Sequence, residues 1–201
     1  MTGPRPIVFA ITGASGAPYA VRLLKALVDA KRTVQLIVSD HGWRLLDTET
    51  GIGDITTLQA RSGGDAWKNV VKVFDDKDRG AAPASGSALT AGMVICPCSM
   101  GTLAAIAAGT SRSLVERAAD VTLKERRPLV LMPRETPLSA IHLENMLKLT
   151  HAGAVIMPAA PGFYNRPSGI DDLVDFMVGR MLDHLGVENT VTRRWNPEPT
   201  E

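Results

Sequence analysis

Five short apolar runs punctuate the chain: Ile7 to Ile11, Val34 to Val38, Met93 to Cys96, Leu129 to Met132 and Ala154 to Met157. Each is too short for a helix and alternates with stretches of helical spacing, so each predicts a buried strand. Between the first two, Ala20, Leu23, Leu24, Leu27 and Val28 fall on one helical face, while Arg22, Lys25 and Asp29 lie off it. That is a βαβ unit. Its repetition predicts an α/β fold with an open parallel sheet covered on both faces, and places any ligand at the carboxyl ends of the strands. Residues 61–92 interrupt the pattern with Gly63-Gly64, Gly80, Pro83, Gly86 and Gly92 around one weaker strand candidate, Val70 to Phe74. They read as an excursion inside one domain spanning residues 1–201. From Glu188 to Glu201 periodicity is lost, which predicts an extended tail in which Trp195 needs a surface to pack against.

Composition narrows the function classes. With 45% hydrophobic positions among 201 residues the chain can build one sizeable core, which excludes disorder throughout. Its 22 Lys and Arg against 21 Asp and Glu leave a net charge of +1, so neither nucleic acid nor an anionic membrane is an expected partner. Any anion chemistry must be local. Cys96 and Cys98, one residue apart, make neither a disulfide framework nor a CxxC zinc pair, which predicts a reducing setting. No apolar run approaches the roughly 20 residues of a membrane span, and a soluble, cytoplasmic protein is expected. The histidines, His41, His142, His151 and His184, lack HxxxH or HExxH spacing, and no metal site is predicted. Asp171-Asp172-Leu173-Val174-Asp175 spells the magnesium-chelating DDxxD pattern. It comes after Ser168-Gly169 and opens an amphipathic helix, so its acids read as partners of the helix dipole.

The loops after the strands carry the candidate chemistry. Thr12-Gly13-Ala14-Ser15-Gly16-Ala17-Pro18 joins the first strand to its helix, and its small residues would let backbone amides approach a phosphate. A tight turn with no ligand explains them equally well. The loop lacks the G-x-G-x-x-G dinucleotide pattern, because Ser15 stands at the second glycine, and the chain has no P-loop. Ser39 comes after the second strand and reads as the cap of a helix ending in Thr48-Glu49-Thr50. Cys96-Pro97-Cys98-Ser99-Met100-Gly101-Thr102 is a second small-residue loop, and the two together could hold one flat, phosphorylated ligand. Cys98 has no adjacent histidine and reads as a buried thiol rather than a nucleophile. Charges from Arg112 to Arg127 read as a solvated helix face. Pro133-Arg134-Glu135-Thr136-Pro137 puts a cation and a carboxylate at a strand's carboxyl end, either as functional groups or as a surface ion pair beside a Thr136 helix cap. In Pro158-Ala159-Ala160-Pro161-Gly162-Phe163-Tyr164, a stiff loop presents two aromatic rings that could wall an apolar pocket or fill the core.

Taken together, Thr12 to Ala17, Cys96 to Thr102, Pro133 to Pro137, His142-Leu143-Glu144-Asn145-Met146 and Pro158 to Tyr164 resemble the UbiX/Pad-type flavin prenyltransferases over roughly residues 6–195. Five separated motifs in the right order are far more specific than any one alone. The resemblance implies a flavodoxin-like Rossmann three-layer sandwich that binds FMN and forms a homododecamer whose sites are completed across subunit contacts. It implies a prenylated FMN product that serves UbiD-type decarboxylases. Carried over by residue, it places FMN on Gly13, Ala14, Ser15, Ser39, Ser99, Met100, Gly101, Thr102 and Arg134. Tyr164 and Arg180 would hold the phosphate of dimethylallyl monophosphate, with Arg117 and Lys124 near it. Ser15, Glu49, Glu135 and Lys124 would be catalytic, and Trp195 would cover a neighbour's site.

The implied chemistry fits these residue types. Cations at Lys124, Arg134 and Arg180 would stabilise charge developing on a departing phosphate without a metal. Glu135 would move a proton with Ser15 as donor or relay, and Tyr164 and Trp195 would exclude water from an allylic cation. Two other readings stand beside this one. A flavin-dependent cysteine decarboxylase would resemble P-x-M-N-x-x-M-W and carry a histidine near the first helix, and neither is present here. A non-enzymatic FMN carrier would leave Lys124, Glu135 and Arg180 without a task. A lyase acting directly on an aromatic acid ranks below both.

Overall fold

The computed structural model describes residues 4–192; Trp195 and the rest of the chain from 193 lie outside the described residues. The chain opens with β1 (Ile7–Ile11), α1 (Ala17–Asp29), β2 (Val34–Val38), α2 (Asp40–Thr50) and α3 (Ile55–Ser62). One turn of helix, α4 (Trp67–Val70), leads into β3 (Val71–Phe74). Next come β4 (Gly92–Cys98), α5 (Met100–Ala108), α6 (Leu114–Lys124), β5 (Leu129–Pro133), α7 (Ala140–His151), β6 (Val155–Ile156) and α8 (Ile170–His184).

Among the described residues all six strands are parallel, in the order β3-β2-β1-β4-β5-β6. Without the edge strand β3 the remaining five run in the flavodoxin order, and β3 extends this to the order of dinucleotide-binding sheets. The excursion between 61 and 92 therefore supplies a sheet edge. Its strand is half exposed, with Lys72 alternating between Val71 and Val73, which is why its apolar signal is weak. At the opposite edge the expected run of four residues narrows to Val155–Ile156, paired on one side only.

Strand alternation divides the core into two layers. Ile7, Phe9 and Ile11 of β1 face α1 and α8 with Leu23, Leu27, Met177 and Met181. Val8 and Ala10 face the other way, against Leu103 and Ile106 of α5, Val115 of α6 and Leu149 of α7. The result is a three-layer sandwich. Cys96 and Cys98 would share a face in a regular strand, but β4 shifts register between Ile95 and Cys98 and sends them to opposite layers. Burial pushes the Cys98 thiol up to about 12, and the Cys96 thiol is raised for the same reason, so both act as small hydrophobes. No helix among the described residues is long and apolar enough to cross a membrane.

Two acids of the DDxxD segment are engaged in holding the fold together. Asp172 accepts bonds from the Ser168 amide and hydroxyl, both at 2.6 Å, and so tethers the residues entering α8. Asp175 pairs with Arg22 at 2.5 Å and ties α8 to α1. Among the described residues no group of three or more His, Cys, Asp or Glu is placed to hold a metal ion.

Candidate functional site

Strand order reverses between β1 and β4, so their connections leave in opposite directions and open a crevice at the carboxyl edge. Thr12 fastens the two loops there. Its hydroxyl donates to Pro97 O at 3.0 Å and accepts from the Ser99 amide at 2.9 Å, and the residue is 2% exposed. Sequence reasoning left Thr12 out of the site; a threonine directly ahead of a small-residue loop at a strand end was the available signal. Thr12→Val keeps the shape but strands the Ser99 N–H, and should destabilise the fold by about 1–3 kcal/mol. Denaturant unfolding measures this, and an unchanged midpoint would show that the two loops do not depend on the weld.

Three helices, α1, α2 and α5, start around this crevice. α2 is capped by Ser39, whose Oγ accepts from the Gly42 amide at 3.1 Å, and α5 by Ser99, whose Oγ accepts from the Thr102 amide at 3.2 Å and donates to Thr102 Oγ1 at 3.0 Å. In each, the first amides of the helix have no intrahelical acceptor, and the positive end of the dipole faces the crevice. α1 differs. Its first amides, those of Gly16 and Ala17, donate at 2.9 and 2.8 Å to one oxygen of Glu49, at the far end of α2. The amides of Gly16 and Ala17 are therefore taken and the start of α1 is closed to a phosphate, whereas the starts of α2 and α5 are open to an anion. Met100 is buried and belongs to the core, so only its backbone faces the edge, while Gly101 is exposed.

Two glycines set the depth of the crevice. A methyl group at Gly42 would sit 2.5 Å from Ile11 O, so only glycine lets α2 begin this close to β1. A methyl at Gly13 would meet His41 Cβ at the same distance, which places His41 against the first loop. Gly42 was not singled out from the sequence, and His41 was weighed there only as a metal ligand.

Arg134 leaves the end of β5 and reaches back to the first loop, where its Nε donates to Ser15 O at 3.4 Å. Glu135 Oε1 accepts from the Thr136 amide at 3.1 Å. Among the described ion pairs none joins Arg134 to Glu135, and α7 is capped by Ser139 rather than Thr136, so the surface-pair reading of this loop does not hold. The 158–167 loop is fastened beside Arg134 through the Ala159 amide, which donates to Pro133 O at 3.0 Å. From it Tyr164 packs edge-on against Phe176 of α8, with ring centroids 5.7 Å apart. Arg180, one turn further along α8, borders a hollow of about 320 Å³ with Phe176, Met177, Pro158 and His184, and its Nη1 lies 3.6 Å from Asp183.

Arg117 and Lys124 lie elsewhere. Both are on α6, where Arg117 pairs with Asp120 at 2.7 Å. Lys124 ends the helix beside Gly86, in the segment entering β4. That is the amino end of the sheet, the length of β4 (roughly 20 Å for seven residues) from the Ser99 loop. The expected site residues thus fall into three groups: the crevice edge with Gly13, Ala14, Ser15, Ser39, Glu49, Ser99 to Thr102, Arg134 and Glu135; the α8 side with Tyr164 and Arg180; and α6 with Arg117 and Lys124.

An α/β sheet with capped helix starts around a switch point is a frame suited to a phosphorylated ligand, and the profile of the family described as Flavoprotein matches residues 1–182. The flavin prenyltransferase UbiX of Pseudomonas aeruginosa is 50% identical over 203 residues, covering 98% of this chain and 97% of its own. Among solved structures, AnUbiX in complex with FMN and dimethylallyl pyrophosphate superposes with a TM-score of 0.89 at 42% identity, over 98% of this chain and all of that one. A dodecameric FMN-dependent UbiX-like decarboxylase from Escherichia coli O157:H7 gives 0.87 at 42% identity, over 96% and 100%. The chain belongs to the UbiX family of flavin prenyltransferases.

Proposed function

We propose that this protein joins a dimethylallyl group from dimethylallyl monophosphate to N5 and C6 of reduced FMN, and that the prenylated flavin serves a UbiD-type decarboxylase. The observation that carries the reading is the convergence on one crevice of the open starts of α2 and α5 with Arg134. The amides that open α2 at Asp40 and His41 and α5 at Met100 and Gly101, which have no acceptor among the described hydrogen bonds, are matched to the FMN phosphate together with the Ser39 and Ser99 caps, and the glycines at 13 and 42 leave room beside it. The flavin supplies the nucleophilic nitrogen and the ring carbon; the chain supplies orientation, charge and dryness.

Glu49 has a defined task in this account. By occupying the amides of Gly16 and Ala17 it fixes the loop that carries Ser15, so that Ser15 stands as a hydrogen-bond partner at the flavin rather than as a phosphate ligand. Arg134, resting on Ser15 O, is positioned at the junction of flavin and donor. Tyr164 and Arg180 bind the donor phosphate, and Arg117 and Lys124 add positive charge as it departs. Because Lys124 lies at the opposite end of the sheet from the crevice edge in one copy, the complete site is shared between copies of the chain. The dodecameric relative supports that assembly for this protein.

The test is anaerobic incubation of the protein with reduced FMN and dimethylallyl monophosphate, or the diphosphate, in the presence and absence of EDTA, with the mass of the extracted flavin as readout. A gain of one C5H8 unit, greater with the monophosphate and undiminished by EDTA, is the expected result. Activity abolished by EDTA and restored by magnesium would overturn the metal-free mechanism. Unmodified flavin together with carbon dioxide release from an aromatic acid would favour the lyase reading instead.

A further inference from the structure

Lys124 and Glu125 are neighbours in sequence, and neighbours inside an α-helix project about 100° apart and do not meet. Here they form an ion pair between Lys124 Nζ and Glu125 Oε1. They can do so because α6 stops at Lys124: Glu125 is its cap residue, with φ −84° and ψ 4°, and Arg126 then turns the chain through the left-handed region at φ 57°. An L-residue held there costs on the order of 1 kcal/mol, so the turn is imposed by the anchoring of the next residue, Arg127. The Arg127 guanidinium is mostly buried and donates to Gly86 O at 2.6 Å, Ala88 O at 3.0 Å and Thr90 Oγ1 at 3.3 Å. The same guanidinium lies 4.0 Å from Glu125 Oε2. Glu125 therefore has one oxygen on Lys124 and the other toward a cation anchored to the sheet entrance, and Lys124 holds its carboxyl below the ordinary value. Gly86 completes the arrangement. A methyl group there would overlap Glu125 Oε1 and lie 2.9 Å from Lys124 Nζ.

As an exposed pair this contact would add little stability. Its effect is to restrict a long, flexible ammonium to one direction at the edge of the subunit, by a turn, a buried arginine and a glycine arranged around it. We infer that Glu125 is a positioning residue for Lys124, with Arg127 and Gly86 as its support, and that the pair presents the ammonium preorganised to the donor phosphate in a neighbouring copy's site. This rests on the reading of Lys124 given above.

Two variants perturb the device by different routes. Glu125→Gln removes the charge and keeps the shape. Gly86→Ala keeps every charge and displaces the pair, and it strains little, since Gly86 is not among the positive-φ residues and the atoms in the way end flexible side chains. Rates of prenyl transfer to reduced FMN by the intact assembly, across donor concentrations, should show kcat/KM for the donor reduced about tenfold in each, a coupling typical of residues in contact. FMN affinity and melting temperature should stay at wild-type values. Combined with Lys124→Ala, neither variant should lower the rate further. A loss that adds to that of Lys124→Ala, or one that tracks a fall in melting temperature or FMN affinity, would overturn the inference. If Lys124→Ala is impaired while Glu125→Gln and Gly86→Ala are not, the inference alone fails. Full activity in Lys124→Ala would sink the Lys124 reading and the inference with it.

Discussion

Glu135→Gln should bind FMN as tightly as the wild type and turn over about 10²–10⁴ times more slowly, the range expected when a positioned acid–base group is removed. The expectation rests on where Glu135 stands. It is exposed at the end of β5, its Oε1 accepts from the adjacent Thr136 amide, and among the described residues it makes no ion pair with Arg134, so its carboxylate is held by local backbone and not used to build the fold. Glutamine preserves that bond and the side-chain volume. Arg180→Ala should differ in kind, weakening the donor in ground and transition states alike and raising KM more than it lowers kcat. Single-turnover prenylation across donor concentrations, with FMN titration of each variant, separates the two. Near wild-type turnover in Glu135→Gln would remove proton transfer from this residue's role.

The second large effect concerns assembly. Lys124 and the crevice edge sit at opposite ends of one sheet, so a site that uses both must draw them from different copies. Lys124→Ala and Glu135→Gln should each be nearly inactive alone, and assemblies formed by co-expressing the two should regain activity, because some sites then receive Lys124 from one copy and Glu135 from another. Mixed assemblies no more active than the separate variants would place both residues in the site of a single copy, against the geometry described above.

Strands buried on both faces were legible as unbroken apolar runs: β1 and β2 begin and end where the pattern puts them, and β4 and β5 differ at their ends only. Edge strands were harder. β3 has one partner strand and exposes Val73, so its pattern is diluted, and β6 keeps only two residues of its run. For the candidate site, motif order identified the family, and Ser39, Ser99 and Arg134 stand at strand ends, where the fold places them. What no spacing could disclose is contact across distance. Glu49 meets Gly16 from 33 residues away, Thr12 meets Ser99 from 87, and Lys124 shares a helix with a solvated face yet ends at the far side of the sheet from the crevice. The DDxxD segment shows the converse: a pattern that spells metal chelation is taken up by a helix entry at Asp172 and an ion pair at Asp175.

The most direct measurement is the carbon NMR spectrum of the flavin recovered after reaction of reduced FMN with dimethylallyl monophosphate carrying carbon-13 at both ends of its allyl unit. One labelled carbon bonded to N5 and the other to C6, with one phosphate released for each flavin modified, is the predicted result. Unaltered FMN beside labelled dimethylallyl alcohol would contradict the account, since the crevice would then bind both molecules and join neither.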